Sequence, residues 1–364
     1  MENLKNVDAM FTRAVESKAV PGIVAAATTD GGTLYEGAFG KRELGKDGPM
    51  TVDTVVWVAS MTKAITATAA MQLVERGKLS LERPASEVIR SLASAKVLEG
   101  FDAAGQPRLR PPKRAITLRH LLTHTAGFAY EIWSPDIARY QTATETPGIT
   151  TCTNAALSTP LLFDPGDRWE YGISIDWVGK MVEVVSGQRL DRYFQDNIFG
   201  PLDMNDTSFK VSAGQRARLA VVHQRDASGA LAPIEFELPQ EPEFLMGGGG
   251  LYGTVHDYLA FARMIMQGGR YRGRQLLRTD TVDLMAQNHT GTLPIGPFKT
   301  AVPSLSNDLD LFPGMPKGWG LSFLINGSPL PTGRSAGSLA WAGLANTYFW
   351  IDRSRQVCGV FASQ

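Results

Sequence analysis

Ser60 and Lys63 are the two side chains whose types and spacing are best suited to chemistry. A hydroxyl becomes a useful nucleophile when a neighbour takes its proton, and an amine three residues along a helix lies on the same face. Lysine is normally protonated at neutral pH. Burial disfavours the charged form and lowers its proton affinity towards the range in which a base operates. The pair therefore needs a buried helix start. Free N–H groups and a partial positive charge in a first turn also favour an anion there.

The surrounding sequence supplies such an element. A short apolar run, Val55 to Val58, reads as a strand that stops at Ser60. An alanine-rich helix is expected from Met61 to Arg76, closed by Gly77, with Ser60 as its N-cap. Ile65, Ala69 and Leu73 recur every four residues, and Ala67, Met71 and Val74 fill the neighbouring faces. A helix apolar nearly all round is expected to be buried. S-x-x-K alone is a weak signal, so companions elsewhere have to decide.

The bulk properties exclude several functions. The chain has 364 residues, enough for two domains or one large domain with an insertion. Lys plus Arg and Asp plus Glu number 36 each, so no net field favours nucleic acid or an anionic membrane. An apolar content of 43% and a charged content of 20% describe an ordinary globular protein. Cys152 and Cys358 are the only cysteines, and neither has a partner at metal-ligand spacing. No metal and no cofactor are expected. No stretch is long and apolar enough for a membrane span, and Met1 to Val20 lacks the pattern of a secretory signal. A cytoplasmic location is the expectation; the oligomeric state is left open.

Taken in order, the chain opens with an amphipathic helix, Asn3 to Ala19, and a hairpin, Ile23 to Thr29 and Leu34 to Gly40, joined at Asp30-Gly31-Gly32. From Leu81 to about Gln240, helical stretches and proline-bearing loops dominate. They include a short Thr117-capped helix and helices from Ser174 to Val185 and Leu190 to Phe199. A helix from His256 to Met266 follows. Strands return at Gly320 to Ile325, Thr347 to Ile351 and Val357 to Ser363. The fold class expected is α/β of the α+β type. Residues 1–80 and 241–364 form a discontinuous sheet domain, 81–240 a mainly helical inserted domain, and the active site lies in the cleft between them.

Three stretches invite other readings. Gly333-Arg334-Ser335-Ala336-Gly337 matches G-x-S-x-G, the nucleophile elbow, which needs a following helix and then a histidine. All five histidines precede Ser335 and strand-like sequence follows it, so Ser335 reads as a loop serine. His120 and His124 lie four apart on the expected helix, but without a glutamate between them or a third ligand they read as structural, for instance bonding a buried carbonyl. The run Gly247 to Gly250 lacks the residues of a phosphate cradle and reads as close backbone packing.

Several stretches then align together. Ser60-Met61-Thr62-Lys63, Leu118 to Gly127, Pro165-Gly166-Asp167-Arg168-Trp169-Glu170-Tyr171 and the glycine run before Leu251 resemble, in order, the serine β-lactamase/penicillin-binding-protein superfamily. Within its class C-like branch the chain looks most like the family VIII carboxylesterases. Val97 to Asp102 with Leu109-Arg110-Pro111 is also similar to the lovastatin-type acyltransferases. The resemblance implies an antiparallel sheet flanked by helices plus an all-helical domain. It also implies Ser60 as nucleophile, Lys63 as its buried partner and Tyr171 as general base or acid. The family's Lys-Thr-Gly edge strand falls on Trp341-Ala342-Gly343. The backbone N–H groups of Ser60 and Leu344 are then the implied oxyanion hole.

Two departures from the family pattern bear on the substrate. Gly172-Ile173 follows Tyr171, so the Asn of Tyr-x-Asn is missing, and Trp341 replaces a lysine. Both remove polar contacts to an anionic, amide-bearing substrate and add apolar surface. Tyr130, Tyr252, Trp341 and Gly343 are the expected substrate-binding residues. The resemblance thus implies a serine carboxylesterase acting on short- to medium-chain esters, with no nucleic-acid or membrane partner. Acyl transfer from the same acyl-enzyme is the alternative, and a weak β-lactamase or penicillin-binding sensor the second. The family usually continues into a final helix beside the N-terminal one. This sequence stops at Gln364 straight after a strand, which leaves the stability of the sheet's outer face open.

Overall fold

Apolar strands from the two ends of the chain meet in one sheet, seen in a computed structural model that describes residues 2–226 and 228–364. Strands β1 (Gly22–Thr29), β2 (Gly32–Gly40), β3 (Lys317–Trp319), β4 (Leu324–Asn326), β5 (Leu339–Gly343), β6 (Thr347–Asp352) and β7 (Val357–Ala362) run in the order β3-β4-β5-β6-β7-β1-β2. Every pairing is antiparallel, and Val24 opposite Ala362 joins the two ends of the chain.

Helices cover both faces. Helix α1 (Glu2–Glu16) sets Phe11 against Tyr35, Phe39 and Phe361. Side chains alternate along a strand, so Val360 points the other way from Phe361. On that opposite face Phe349, paired with Val360, meets Tyr258. Helix α2 (Thr62–Glu75) is buried from Thr62 to Leu73, as its all-round apolar sequence requires. It packs against α4 (Ser174–Ser186), while α5 (Val255–Met266) starts at Thr254, whose hydroxyl caps the Asp257 N–H. The short α3 (Leu118–Leu122) is capped by Thr117 as expected.

Three expectations change. The segment 81–240 is not all helical: Val97–Phe101 pairs with Pro107–Arg110, and His223–Arg225 with Leu231–Pro233. The expected strand Gly320–Ile325 is broken, because a turn at Ser322 with φ of 75° separates β3 from β4. Strand β5 is not an edge strand, since β4 and β6 flank it. Its pairing with β4 stops at Ala340, however, so the half that carries Trp341 to Gly343 runs on beyond that ladder. Among the described residues no helix is long and apolar enough to cross a membrane.

Candidate active site

Ser60 sits at a forced bend. Val56 and Trp57 pair with Gly253 and Tyr252, and the Val58 N–H donates to the Leu251 carbonyl. Ala59 then takes a left-handed φ of 47°, a conformation that costs a residue with a Cβ on the order of 1 kcal/mol. A single tight turn, Ala59–Met61, leads into α2. Strand β5 reaches this turn because Gly343 has no side chain. A Cβ there would lie 2.2 Å from the Thr347 hydroxyl and 2.5 Å from the Val58 carbonyl. Thr347 Oγ1 donates to that carbonyl at 3.1 Å. The expected N-cap role of Ser60 is not observed. Its side chain caps nothing, because the tight turn already carries the chain into the helix. Its oxygen instead accepts from Lys63 Nζ at 3.1 Å.

Lys63 is fully buried, and each of its three hydrogens has an acceptor. Besides Ser60, Nζ donates to the Tyr130 hydroxyl at 3.0 Å and to the Gly248 carbonyl at 2.6 Å. It lies 4.7 Å from the centroid of the Tyr171 ring. Burial lowers the proton affinity of the amine, and the charge of Asp176 opposes that fall. The glycine run is close backbone packing, as its sequence indicated. Gly247 O accepts from Thr66, Gly249 O from the Trp57 indole, and the Gly248 N–H donates to Asp176 Oδ1.

The two tyrosines arrive together. A Cβ on Gly172 would lie 2.4 Å from the Ala129 Cα and from the Phe128 carbonyl. The missing side chain lets the segment carrying Tyr171 run against the segment carrying Tyr130, and the rings stand 5.3 Å apart. Trp341 Nε1 donates to the Tyr171 oxygen at 3.0 Å. The Trp341 side chain is therefore not simply apolar surface: its indole keeps a donor on the proposed acid–base group. Burial raises the Tyr171 phenol well above its ordinary value, while hydrogen bonds from Ser60 and Trp341 oppose that rise.

A cavity of about 520 Å³ opens above these groups, lined by Ser60, Tyr130, Tyr171, Trp341, Gly343 and Leu344, with Phe236 also on its wall and the Phe298 ring edge-on to Tyr171 at 5.7 Å. Tyr252 is not among its lining residues. That tyrosine is 2% exposed and its oxygen accepts the Leu238 N–H at 3.0 Å, so the expected substrate contact is a core residue. The strand pairing that holds the Ser60 segment turns it inward.

The histidines separate. His120 Nδ1 accepts the Thr117 N–H and completes a capping box at the start of α3. His124 lies past the end of that helix with φ of 55°, not on it. Its ring packs on Tyr171 and Trp319, and neither nitrogen has a partner among the described residues, so the expected bond to a buried carbonyl is absent. Burial, and then the charge of Lys63, keep this imidazole neutral. Ser335 is a loop residue whose N–H donates to Asp352 Oδ2.

Two features escaped the sequence reading. Tyr130 was expected to touch substrate, yet it also bonds Lys63. Asp176 was not singled out. Its signal was available: a carboxylate in the first turn of the helix, set among Ile175, Trp177 and Val178 and on the buried side, unlike Lys180 and Glu183 further along.

The family described as Beta-lactamase matches residues 7–364. A Lovastatin esterase from Penicillium rubens is 33% identical over 378 residues, 98% of this chain and 92% of the relative. An Acyltransferase mokF from Monascus pilosus is 38% identical over 304 residues, 78% of this chain and 70% of the relative. Among solved structures, the Simvastatin Synthase (LovD) of Aspergillus terreus matches with a TM-score of 0.85 and 31% identity, over 100% of this chain and 93% of that one.

Proposed function

This chain belongs to the Beta-lactamase family, and on that premise we propose that it is a serine carboxylic-ester hydrolase that works through an acyl-enzyme on Ser60. One observation carries the reading: a fully buried Lys63 amine that donates to the Ser60 hydroxyl at 3.1 Å and lies 4.7 Å from the centroid of the Tyr171 ring. Esterase and acyltransferase relatives of this family agree with it.

Ser60 Oγ attacks the ester carbonyl and its proton passes to Lys63 and Tyr171, which act together as base and acid. The backbone N–H groups of Ser60 and Leu344 receive the developing oxyanion, a contribution of about 3 kcal/mol for one donor in comparable sites. The C–O bond breaks, and the leaving alkoxide takes the proton from Tyr171. Water then attacks the acyl-enzyme and gives a proton to the same pair. Ser60 recovers its proton as the acid departs, and the protein ends unchanged.

Acyl transfer to an alcohol is the second reading, favoured by the acyltransferase relatives and by cavity size. A space of about 520 Å³ lies within the roughly 300–1,000 Å³ that suits a drug-sized ligand, enough for an acyl group and a bulky acceptor. The test is turnover of p-nitrophenyl butyrate by the wild type and Ser60→Ala, with intact mass of the acylated protein. Turnover that persists in Ser60→Ala sinks the reading. Excess alcohol separates the two reactions: free acid as the sole product excludes transfer.

A further inference from the structure

Beneath the reacting groups lies a carboxylate that the proposed reaction does not use. Asp176, in the first turn of α4, is fully buried. Its Oδ1 accepts the Gly248 N–H at 2.8 Å, and its Oδ2 has no partner among the described residues. The carbonyl of the same glycine accepts from Lys63 Nζ at 2.6 Å. Gly248 thus turns a donor towards the carboxylate and an acceptor towards the amine. A Cβ at this glycine would lie 2.5 Å from Asp176 Oδ2, so any side chain there would displace the carboxylate.

The pattern fits an ionised pair. A protonated Asp176 would carry its hydrogen on Oδ2, where no acceptor waits. Each hydrogen of a protonated Lys63 meets an oxygen. An isolated charge in such a place is costly, and a fixed opposite charge offsets part of that cost.

We propose that Asp176 is the positioning residue for Lys63: its carboxylate, acting across Gly248, holds the ammonium between Ser60 and Tyr130 and sets the pH at which the site becomes active. The inference rests on reading Ser60 as the nucleophile and Lys63 as its partner. Other titratable groups face the pair. Burial raises Tyr130 and Tyr171, lowers His124, and pushes the Cys152 thiol up to about 12, with the Asp176 charge adding to that last rise. Glu131, next to Tyr130, is also raised by burial. All five residues are kept in the comparison that follows, and the Asp176 charge raises Tyr130 and Tyr171 as well as Cys152, so its loss moves them in the same direction as Lys63.

The probe is a fluorophosphonate, which labels an activated serine whatever the natural substrate. Labelling of Ser60 is followed from pH 5 to 10 in the wild type and in Asp176→Asn, which keeps the shape and the Oδ1 acceptor but loses the charge. Without the carboxylate the ammonium gives up its proton more easily. The midpoint of the acidic limb is therefore expected to move to lower pH by about one unit, with a plateau about tenfold lower. An unchanged midpoint overturns the proposal. Absence of labelling at Ser60 in the wild type would instead remove the nucleophile reading itself. Melting temperatures decide the matter independently of activity, and also if Asp176→Asn alone does not fold. Lys63→Met leaves the carboxylate buried without its counter-charge, so adding Asp176→Asn to it is expected to raise Tm. A double variant that melts at or below Lys63→Met overturns the proposal.

Discussion

The floor and the mouth of the cleft are built differently. On the floor, Lys63, Asp176 and Gly247 to Gly250 are buried, and backbone groups take up most of the side-chain polarity. At the mouth, Phe236, Leu344 and residues 303–309 come from loops and turns, and Leu305 and Leu344 are exposed. A dry floor strengthens each electrostatic contact and leaves little room for movement. At the mouth solvent screens such contacts, and the loops there can vary at lower cost. The difference teaches that reactivity is set below the serine and selectivity above it.

Substitutions that break the floor should have the largest effects. Ser60→Ala and Lys63→Met are each expected to lower kcat/KM by at least about 10⁴-fold, read with a p-nitrophenyl ester, because groups that act as a unit fail together. The two phenols sharpen the contrast within the floor. Tyr171→Phe is expected to cost about 10²- to 10⁴-fold, the usual worth of a general acid–base group. Tyr130→Phe, which removes one neutral hydrogen bond to Lys63, should cost about tenfold or less. The reverse order would move the acid–base role to Tyr130. Trp341→Phe removes the indole donor that holds the Tyr171 phenol down and should reduce kcat by about tenfold, most visibly on the acidic, rising side of the pH profile.

The pH profile has a defined sign. Activity appears as the Lys63–Tyr171 pair loses its proton, so kcat/KM rises with pH. Burial lowers Lys63, which places the midpoint of that rise below the ordinary lysine value of about 10.4. A midpoint at or above that value contradicts the buried amine. At the mouth, Leu305→Ala should raise KM a few-fold and shift acyl-chain preference with kcat held within about twofold, as losses of apolar contact do. The smallest effect is expected at Tyr252→Phe. Turnover should not change, and the orphaned Leu238 N–H should cost about 1 kcal/mol in a denaturant titration.

Legibility in the sequence followed the range of the interaction. Helix α2 was readable because its apolar periodicity is local, and so were the hairpin of β1 and β2 and the cap at Thr117. The break between β3 and β4 was not, because a left-handed turn at Ser322 interrupts a run that reads as continuous strand. Tyr252 was misplaced for a similar reason. An aromatic after a glycine run suits a cleft or a core equally well, and only its pairing with Trp57 chooses between them.

From its order of residues alone, the chain determined a serine and a lysine one turn apart on a helix too apolar to be exposed, together with the family of folds that surrounds them. Tertiary structure decided the rest. Tyr130, Tyr171, Asp176, Gly248 and Trp341 lie 67 or more residues from Lys63 along the chain, and no periodicity links them. They meet because three glycines, at 172, 248 and 343, have no Cβ where another segment passes. Which polar groups end up within hydrogen-bonding distance is settled by those close passes, and the pattern of apolar and polar residues cannot encode them.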